Sequence, residues 1–153
     1  MKDYIFGGII LIFLLIIVCS RVNKKYVINT AYSVKESNIL ENNERGLFAE
    51  KKYNKGDVID NCPTVKIKHI DIDAVSRLQD YVFQSYNGDD DVLVAMGYCG
   101  MVNHSSEKQN ATWEISNDDS TIKLYTTRDI YPGEEFYVNY GEDYWEGREM
   151  NEL

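Results

Sequence analysis

Apolar and polar positions switch over short distances along most of this chain; only near its start does an apolar run go unbroken. Residues 4–19, YIFGGIILIFLLIIVC, carry no charge. As a helix they would span about 24 Å at 1.5 Å per residue, somewhat less than a hydrocarbon core of roughly 30 Å. An interfacial Tyr4 and snorkelling Lys2 or Arg21 make up the difference, and a thinner internal membrane suits the length. The pattern therefore predicts one transmembrane helix, with residues 1–20 as an anchor. A cleaved signal peptide is the rival, but Lys2 is offset by Asp3 and no small-residue cleavage site follows.

After the anchor the pattern changes. Residues 21–38 read as a polar connector with one β-prone patch at 26–28, and residues 39–148 as a folded domain ahead of a short tail, 149–153. Within the domain the apolar runs are brief. Residues 46–49, 58–60 and 65–67 are strand-like and are punctuated by Asn54-Lys55-Gly56-Asp57 and by Pro63. Residues 74–84 mix helical spacing (Val75, Leu78, Val82) with a strand-like Tyr81-Val82-Phe83, and the pattern leaves both open. Residues 92–95 read as a buried strand. Residues 111–116 and 121–127 predict a hairpin across Asn117-Asp118-Asp119-Ser120, and Pro132-Gly133 turns the chain into a strand over 135–140. Many short strands with scattered turns imply a mainly β domain of small sheets.

Charge and cysteines narrow the function. The net charge is -9, from 25 acidic and 16 basic residues. Such a balance argues against direct nucleic-acid binding, which needs a basic patch, and suits a basic peptide as partner. The acidic clusters Asp89-Asp90-Asp91 and Asp118-Asp119 read as loop residues. Cys19, Cys62 and Cys99 lie far apart with no C-x-x-C spacing, and neither His69 nor His104 pairs with them at zinc-like intervals. The expectation is no disulfide framework, no metal and a reducing compartment. Arg21, Lys24 and Lys25 follow the apolar run, so the positive-inside rule places a single-pass protein with its domain facing the cytoplasm or nucleoplasm. There the glycosylation sequons at Asn103 and Asn110 would stay unmodified.

Individually, Asn103-His104-Ser105 is a turn and Gly133-Glu134-Glu135 a turn into a strand. Their order along the chain carries more. Arg45-Gly46-Leu47-Phe48-Ala49 comes first, then Lys55-Gly56-Asp57-Val58-Ile59 ahead of Pro63. Gly97-Tyr98, Met101-Val102-Asn103-His104-Ser105 with Asn110, Arg128-Asp129-Ile130, and finally the run from Gly133 through Tyr140-Gly141 follow. This set resembles the signature of SET-domain protein lysine methyltransferases. Asp80-Tyr81-Val82-Phe83 and Tyr140-Gly141-Glu142-Asp143-Tyr144-Trp145 are most similar to the compact SET proteins of large DNA viruses. Departures are Ser106 and Gln109 where the family often has Cys and Pro, and Phe136 and Asn139 for its common Leu and Asp.

The resemblance implies a SET-domain fold: several small β-sheets around a knot-like carboxy-terminal core, with the Asn103-His104 turn beside the Tyr140 strand. It implies S-adenosylmethionine as methyl donor and a histone tail or another basic peptide as substrate. Tyr140 matches the catalytic tyrosine. Arg45, Gly46, Leu47, Asn103, His104, Tyr140 and Trp145 match the cofactor-binding positions, and Tyr98, Val138 and Tyr144 the lysine channel. Val138 stands where an aromatic residue often limits methylation, so the number of methyls added stays open. The viral members pair as homodimers, which the resemblance extends here as an expectation. Two alternatives stand beside the enzyme: a catalytically inactive SET-fold peptide-binding module on the same anchor, and a thiol hydrolase using Cys99 or Cys62 with His104.

Overall fold

The computed structural model describes residues 31–39, 44–72, 77–88 and 90–146. The expected anchor at 4–19, the expected β-prone patch at 26–28 and the tail at 149–153 lie outside the described residues. Among the described residues no helix is long and apolar enough to cross a membrane.

Among the described residues nine strands form three sheets. β1 (Tyr32–Glu36) and β2 (Arg45–Ala49) make an antiparallel pair, so the stretch read as connector already contributes a strand. β3 (Val58–Lys68), β4 (Val82–Gln84), β5 (Asp91–Ala95), β7 (Ala111–Ile115) and β8 (Thr121–Thr126) form a five-stranded sheet in the order β4-β5-β3-β8-β7. β6 (Asn103–His104) and β9 (Tyr137–Val138) form a small parallel pair. One helical turn, α1 (Glu142–Glu146), closes the described chain.

β8 shows why this sequence makes strands. Its Ile122, Leu124 and Thr126 are buried while the residues between them are half-buried, the period of two that a strand imposes. β7 pairs with it in the expected hairpin, Ala111 opposite Thr126 through Ile115 opposite Ile122. Leu47, Leu93, Ile122, Leu124, Ile130, Phe136 and Val138 meet in one core. Tyr53 packs edge-on against Phe136 at 5.4 Å and spends its hydroxyl on the Ala31 carbonyl, 3.0 Å away.

Three expectations are corrected. Pro63 does not end a strand: β3 continues through it for 11 residues. It pairs with β8 as far as Pro63 opposite Thr121, then with β5 from Thr64 onward. A residue without an N–H is tolerated where the ladder changes partner. The predicted strand over 135–140 reduces to Tyr137–Val138, because Phe136 N–H donates to the Leu47 carbonyl (2.8 Å) before the chain reaches β6.

The second acidic cluster lies in the turn of the β7–β8 hairpin, where Asp118 is exposed and Asp119 is not. Asp119, at φ 57° in the hairpin turn, is buried. Ser85 Oγ donates to its Oδ2 at 2.6 Å and Lys66 Nζ pairs with the same oxygen at 2.6 Å. Lys66 first, and then Ser85, hold its carboxyl well below the usual range against the cost of burial. Asp118 is drawn down to about 2 by Ser116 and Ser120. Both folded values lie below the unfolded one, so their contribution is complete above roughly pH 4 and is lost as pH falls through the folded pKa. Asp119→Asn is expected to flatten stability against pH below pH 4 while lowering it at pH 7. Urea midpoints at several pH values check this; an unchanged acid slope would refute it.

The third correction concerns sulfur. Cys62 of β3 and Cys99, at the start of a 3-10 turn (Cys99–Met101), are joined in a disulfide with Cα atoms 6.3 Å apart. Local spacing could not show this, since the bridge links positions 37 apart in sequence. It leaves neither sulfur as a free nucleophile, which removes the basis of the thiol-hydrolase alternative, and it takes away the cysteine argument for a reducing compartment. Gly97 serves the bridge: a Cβ there would lie 2.7 Å from Cys62 Sγ. A cross-link over this loop contributes about 2–4 kcal/mol. Replacing both cysteines by alanine should lower the melting temperature by about 10 °C, and an unchanged value would contradict the bridge's stabilising role.

Candidate active site

β6 and β9 are only two residues each, yet their surroundings hold them firmly. Asn103 lies opposite Tyr137 and His104 opposite Val138. Ser105 N–H donates to the Val138 carbonyl (3.0 Å) and Asn110 N–H to the Tyr137 carbonyl (3.1 Å). The Asn110 side chain adds two bonds: Nδ2 donates to the Glu135 carbonyl and Oδ1 accepts from Tyr137 N–H, each 2.8 Å. With both amide ends used and 1 % of its surface exposed, Asn110 is inaccessible to glycan attachment in the folded domain.

Around this junction the sequence-predicted residues gather. Tyr140 N–H donates to His104 Nδ1 at 3.0 Å, so a neutral His104 ring carries its proton on Nε2. The imidazole packs against both Tyr140 (ring centroids 5.4 Å apart) and Trp145 (4.9 Å), which themselves stack at 6.3 Å. Gly141, at φ +88°, makes the turn into α1, a conformation other residues adopt at a cost. That turn brings Tyr144 to 4.7 Å from Tyr140. The Tyr140 hydroxyl donates to the Val102 carbonyl at 2.8 Å.

On the other side of β6, Asn103 Nδ2 donates to the Arg45 carbonyl (2.9 Å) and to Glu135 Oε1 (3.1 Å). This fastens the Arg45-Gly46-Leu47 edge of β2 to the junction; Leu47 is fully buried. Arg45, Gly46, Asn103, His104, Tyr140 and Trp145 thus form one connected chain of contacts. Val138 is buried beside His104, in register with it.

A cavity of about 520 Å³ opens on the far side of Tyr140, within the range of small-ligand pockets. Tyr81, Phe83, Trp113, Tyr140 and Tyr144 line it, with Asp80 among its polar residues. Phe83 and Trp113 meet edge-on at 5.1 Å. Tyr98 is not among these walls: its ring packs 5.1 Å from Tyr32 and it is 45 % exposed. Phe83 and Trp113 as cavity walls, and the Val102 carbonyl as a partner of Tyr140, were not legible in the motifs. The Asp80-Tyr81-Val82-Phe83 run was the available signal for Phe83.

Nor was the role of Glu135 legible there. It is 3 % exposed and accepts from Ser37 Oγ (2.8 Å), Asn38 N–H (2.7 Å), Tyr137 Oη (2.6 Å) and Asn103 Nδ2. Burial first, and then the Glu135 carboxylate, push the Tyr137 phenol well above its ordinary value, so Tyr137 stays a donor at neutral pH.

The profile of the SET domain matches residues 44–141, and the chain belongs to the SET-domain family. Among solved structures it is similar to a Plasmodium falciparum protein described as a histone methyltransferase. The two share 25 % identity and a TM-score of 0.60, over 75 % of this chain and 96 % of that one. It is also similar to Chaetomium thermophilum polycomb repressive complex 2, at 23 % identity and TM-score 0.59 over 74 % of this chain and 15 % of that one. A form of that complex bound to S-adenosylmethionine gives 23 % identity and TM-score 0.59, over 73 % and 15 %. At such identities the polycomb structures attest the fold alone. A comparison with curated protein sequences finds no match.

Proposed function

We propose that this chain is an S-adenosylmethionine-dependent protein-lysine N-methyltransferase acting on a histone tail or another basic peptide. The observation that carries the proposal is the position of Tyr140. Its backbone and ring engage His104 on one side, and its side chain forms part of the aromatic cavity wall on the other. A tyrosine shared by two sites suits a reaction whose two substrates meet end to end.

The residues present fit the donor. Among the described residues, Trp145 Nε1 is buried without a hydrogen-bond partner, an arrangement that costs free energy unless an acceptor arrives. A ligand rich in carboxylate, hydroxyl and ring-nitrogen acceptors supplies one. Asn103, His104, the Arg45-Gly46-Leu47 backbone and Trp145 would hold it, and when bound it supplies a methyl group on a cationic sulfonium.

The chain's own residues do the rest. A lysine amine is neutral in only about one molecule in 2,500 at pH 7, a deficit of roughly 4.6 kcal/mol. Burial among Tyr81, Phe83, Trp113 and Tyr144 favours the neutral amine by desolvation, while Asp80 and the aromatic faces attract the cation before it enters. A phenol is a poor general base for this step; the Tyr140 hydroxyl instead orients the amine, which is where positioning lowers a barrier. The acidic balance of the chain favours a basic peptide. The similarity to compact viral SET proteins rests on the runs at 80–83 and 140–145, and the single-pass anchor at 4–19 on its composition and on Arg21, Lys24 and Lys25.

The test uses the full chain in detergent micelles, with donor binding measured by calorimetry and methyl transfer to histones and to a cell lysate measured with labelled donor. Donor binding with labelled lysine supports the enzyme. Binding of basic peptides without donor binding or transfer would favour the inactive peptide-binding module, and neither would sink both readings.

A further inference from the structure

Glu135 does more than fill space beneath Gly46. Its two oxygens receive four donors from three stretches of chain far apart in sequence: Ser37 and Asn38 beyond the end of β1, Asn103 in β6, and Tyr137 in β9. Asn103 gives its other N–H to the Arg45 carbonyl. With Nδ2 committed to two acceptors, the amide cannot exchange its oxygen and nitrogen without losing both bonds.

Resting on the methyltransferase reading, we infer that Glu135 is a positioning residue for the methyl donor, fixing the Asn103 amide and making donor affinity depend on the docked 37–38 segment. The chemistry of the four donors carries this. Ser37 and Tyr137 have hydroxyls that can turn to accept, but Asn38 N–H and Asn103 Nδ2 can only donate. These two sit on different oxygens, Asn38 on Oε2 and Asn103 on Oε1. An all-acceptor carboxylate satisfies both, whereas a glutamine of the same shape places an N–H against one of them whichever way it turns. The buried site leaves water little access to replace the lost bond.

Ser37 lies at the entrance of the segment leading to Arg45, and its hydroxyl touches the same oxygen as Asn103. Displacing residues 37–38 therefore loosens the carboxylate that orients Asn103. Nothing in this network touches the Tyr140 hydroxyl, which is held by the Val102 carbonyl. The two effects should separate in kinetics: the network acts on donor affinity, and Tyr140 on turnover.

The experiment measures S-adenosylmethionine Kd by calorimetry and KM and kcat by labelled transfer, on the full chain. Glu135→Gln is expected to raise Kd and donor KM by about tenfold or more, with kcat at saturating donor within about threefold of wild type. Ser37→Ala, which removes one hydroxyl bond and leaves the carboxylate, is expected to raise Kd severalfold and keeps the test available if Glu135→Gln fails to fold. Ser85→Ala, which loses a buried hydroxyl bond to Asp119 in the β7–β8 turn, controls for general loosening and should leave Kd unchanged. Wild-type binding with unchanged Kd in Ser37→Ala and in folded Glu135→Gln overturns this inference alone, as does an equal rise in Ser85→Ala. No donor binding by the wild-type chain overturns the methyltransferase reading and this inference with it.

Discussion

Gly46→Ala is expected to destabilise the domain by on the order of 5 kcal/mol, enough to unfold much of a domain of ordinary stability. A Cβ at position 46 would stand 2.0 Å from Glu135 Oε1, 2.7 Å from its Cδ and 3.1 Å from Asn103 Nδ2. The end of a glutamate side chain normally swings aside. Here the carboxylate is buried and fastened by four donors, so moving it strands Asn38 N–H, Ser37 Oγ, Tyr137 Oη and Asn103 Nδ2 together. Overpacking contributes about 1–3 kcal/mol, and tearing a buried carboxylate from its partners about 3–5 kcal/mol. Gly56, Gly133 and Gly141 are a useful contrast: each has positive φ but open space where a Cβ would go, so alanine there costs roughly the 1–2 kcal/mol of a left-handed conformation. Urea unfolding of the four variants separates the two mechanisms. A Gly46→Ala loss no larger than that of Gly133→Ala would show that the carboxylate moves freely.

The same glycine shows what kind of information the sequence holds. Residues whose role is set within a few positions were legible. The alternation of β8, the hairpin with β7, the turn at Gly133 and the buried strand expected over 92–95 all follow from local pattern and turn chemistry. The ordered motifs placed Arg45, Gly46, Asn103, His104, Tyr140 and Trp145 in one neighbourhood, where the structure brings them together. Roles fixed by distant partners were not legible. Glu134 and Glu135 are adjacent carboxylates, yet Glu134 reaches the half-exposed Arg128 at 2.8 Å while Glu135 is buried. Nothing in the Gly133-Glu134-Glu135 run tells them apart, because Ser37 and Asn38 lie almost a hundred residues away. Asp119 is the same case: an Asp in a turn reads as solvated until β3 and the segment after β4 deliver Lys66 and Ser85. Cys62 and Cys99 complete the pattern.

Twelve tyrosines pose that problem in its sharpest form, since burial alone does not mark the functional one. Tyr53 is almost fully buried and Tyr137 nearly so, and both have hydroxyls spent on structural acceptors. In each, burial is the first cause holding the phenol above its ordinary range, Tyr53 at about 12. Tyr140 is only half-buried. It differs in contacting His104 at the junction while also lining the cavity.

On the methyltransferase reading, Tyr140→Phe is expected to reduce the rate of methyl transfer by about a hundredfold or more while leaving the fold and donor affinity nearly intact. The substitution keeps the ring, and with it the contacts to His104, Tyr144 and Trp113. The backbone N–H bond to His104 also survives. What disappears is one hydroxyl and its bond to the Val102 carbonyl, a loss of about 1 kcal/mol in stability. With its one proton on the Val102 carbonyl, the hydroxyl presents an acceptor lone pair to an amine N–H. A single polar group aimed at a reacting centre is worth roughly 100- to 1,000-fold in rate, far more than its share of stability, because its orientation is prepared before the substrate arrives. The Val102 carbonyl does that preparing, and its own place is fixed by the neighbouring Cys99–Met101 turn and by β6. Single-turnover transfer with donor affinity measured in parallel gives the decisive comparison. A rate within a few-fold of wild type would mean that the hydroxyl only braces the Val102 carbonyl and that the lysine is oriented by other groups of the cavity wall.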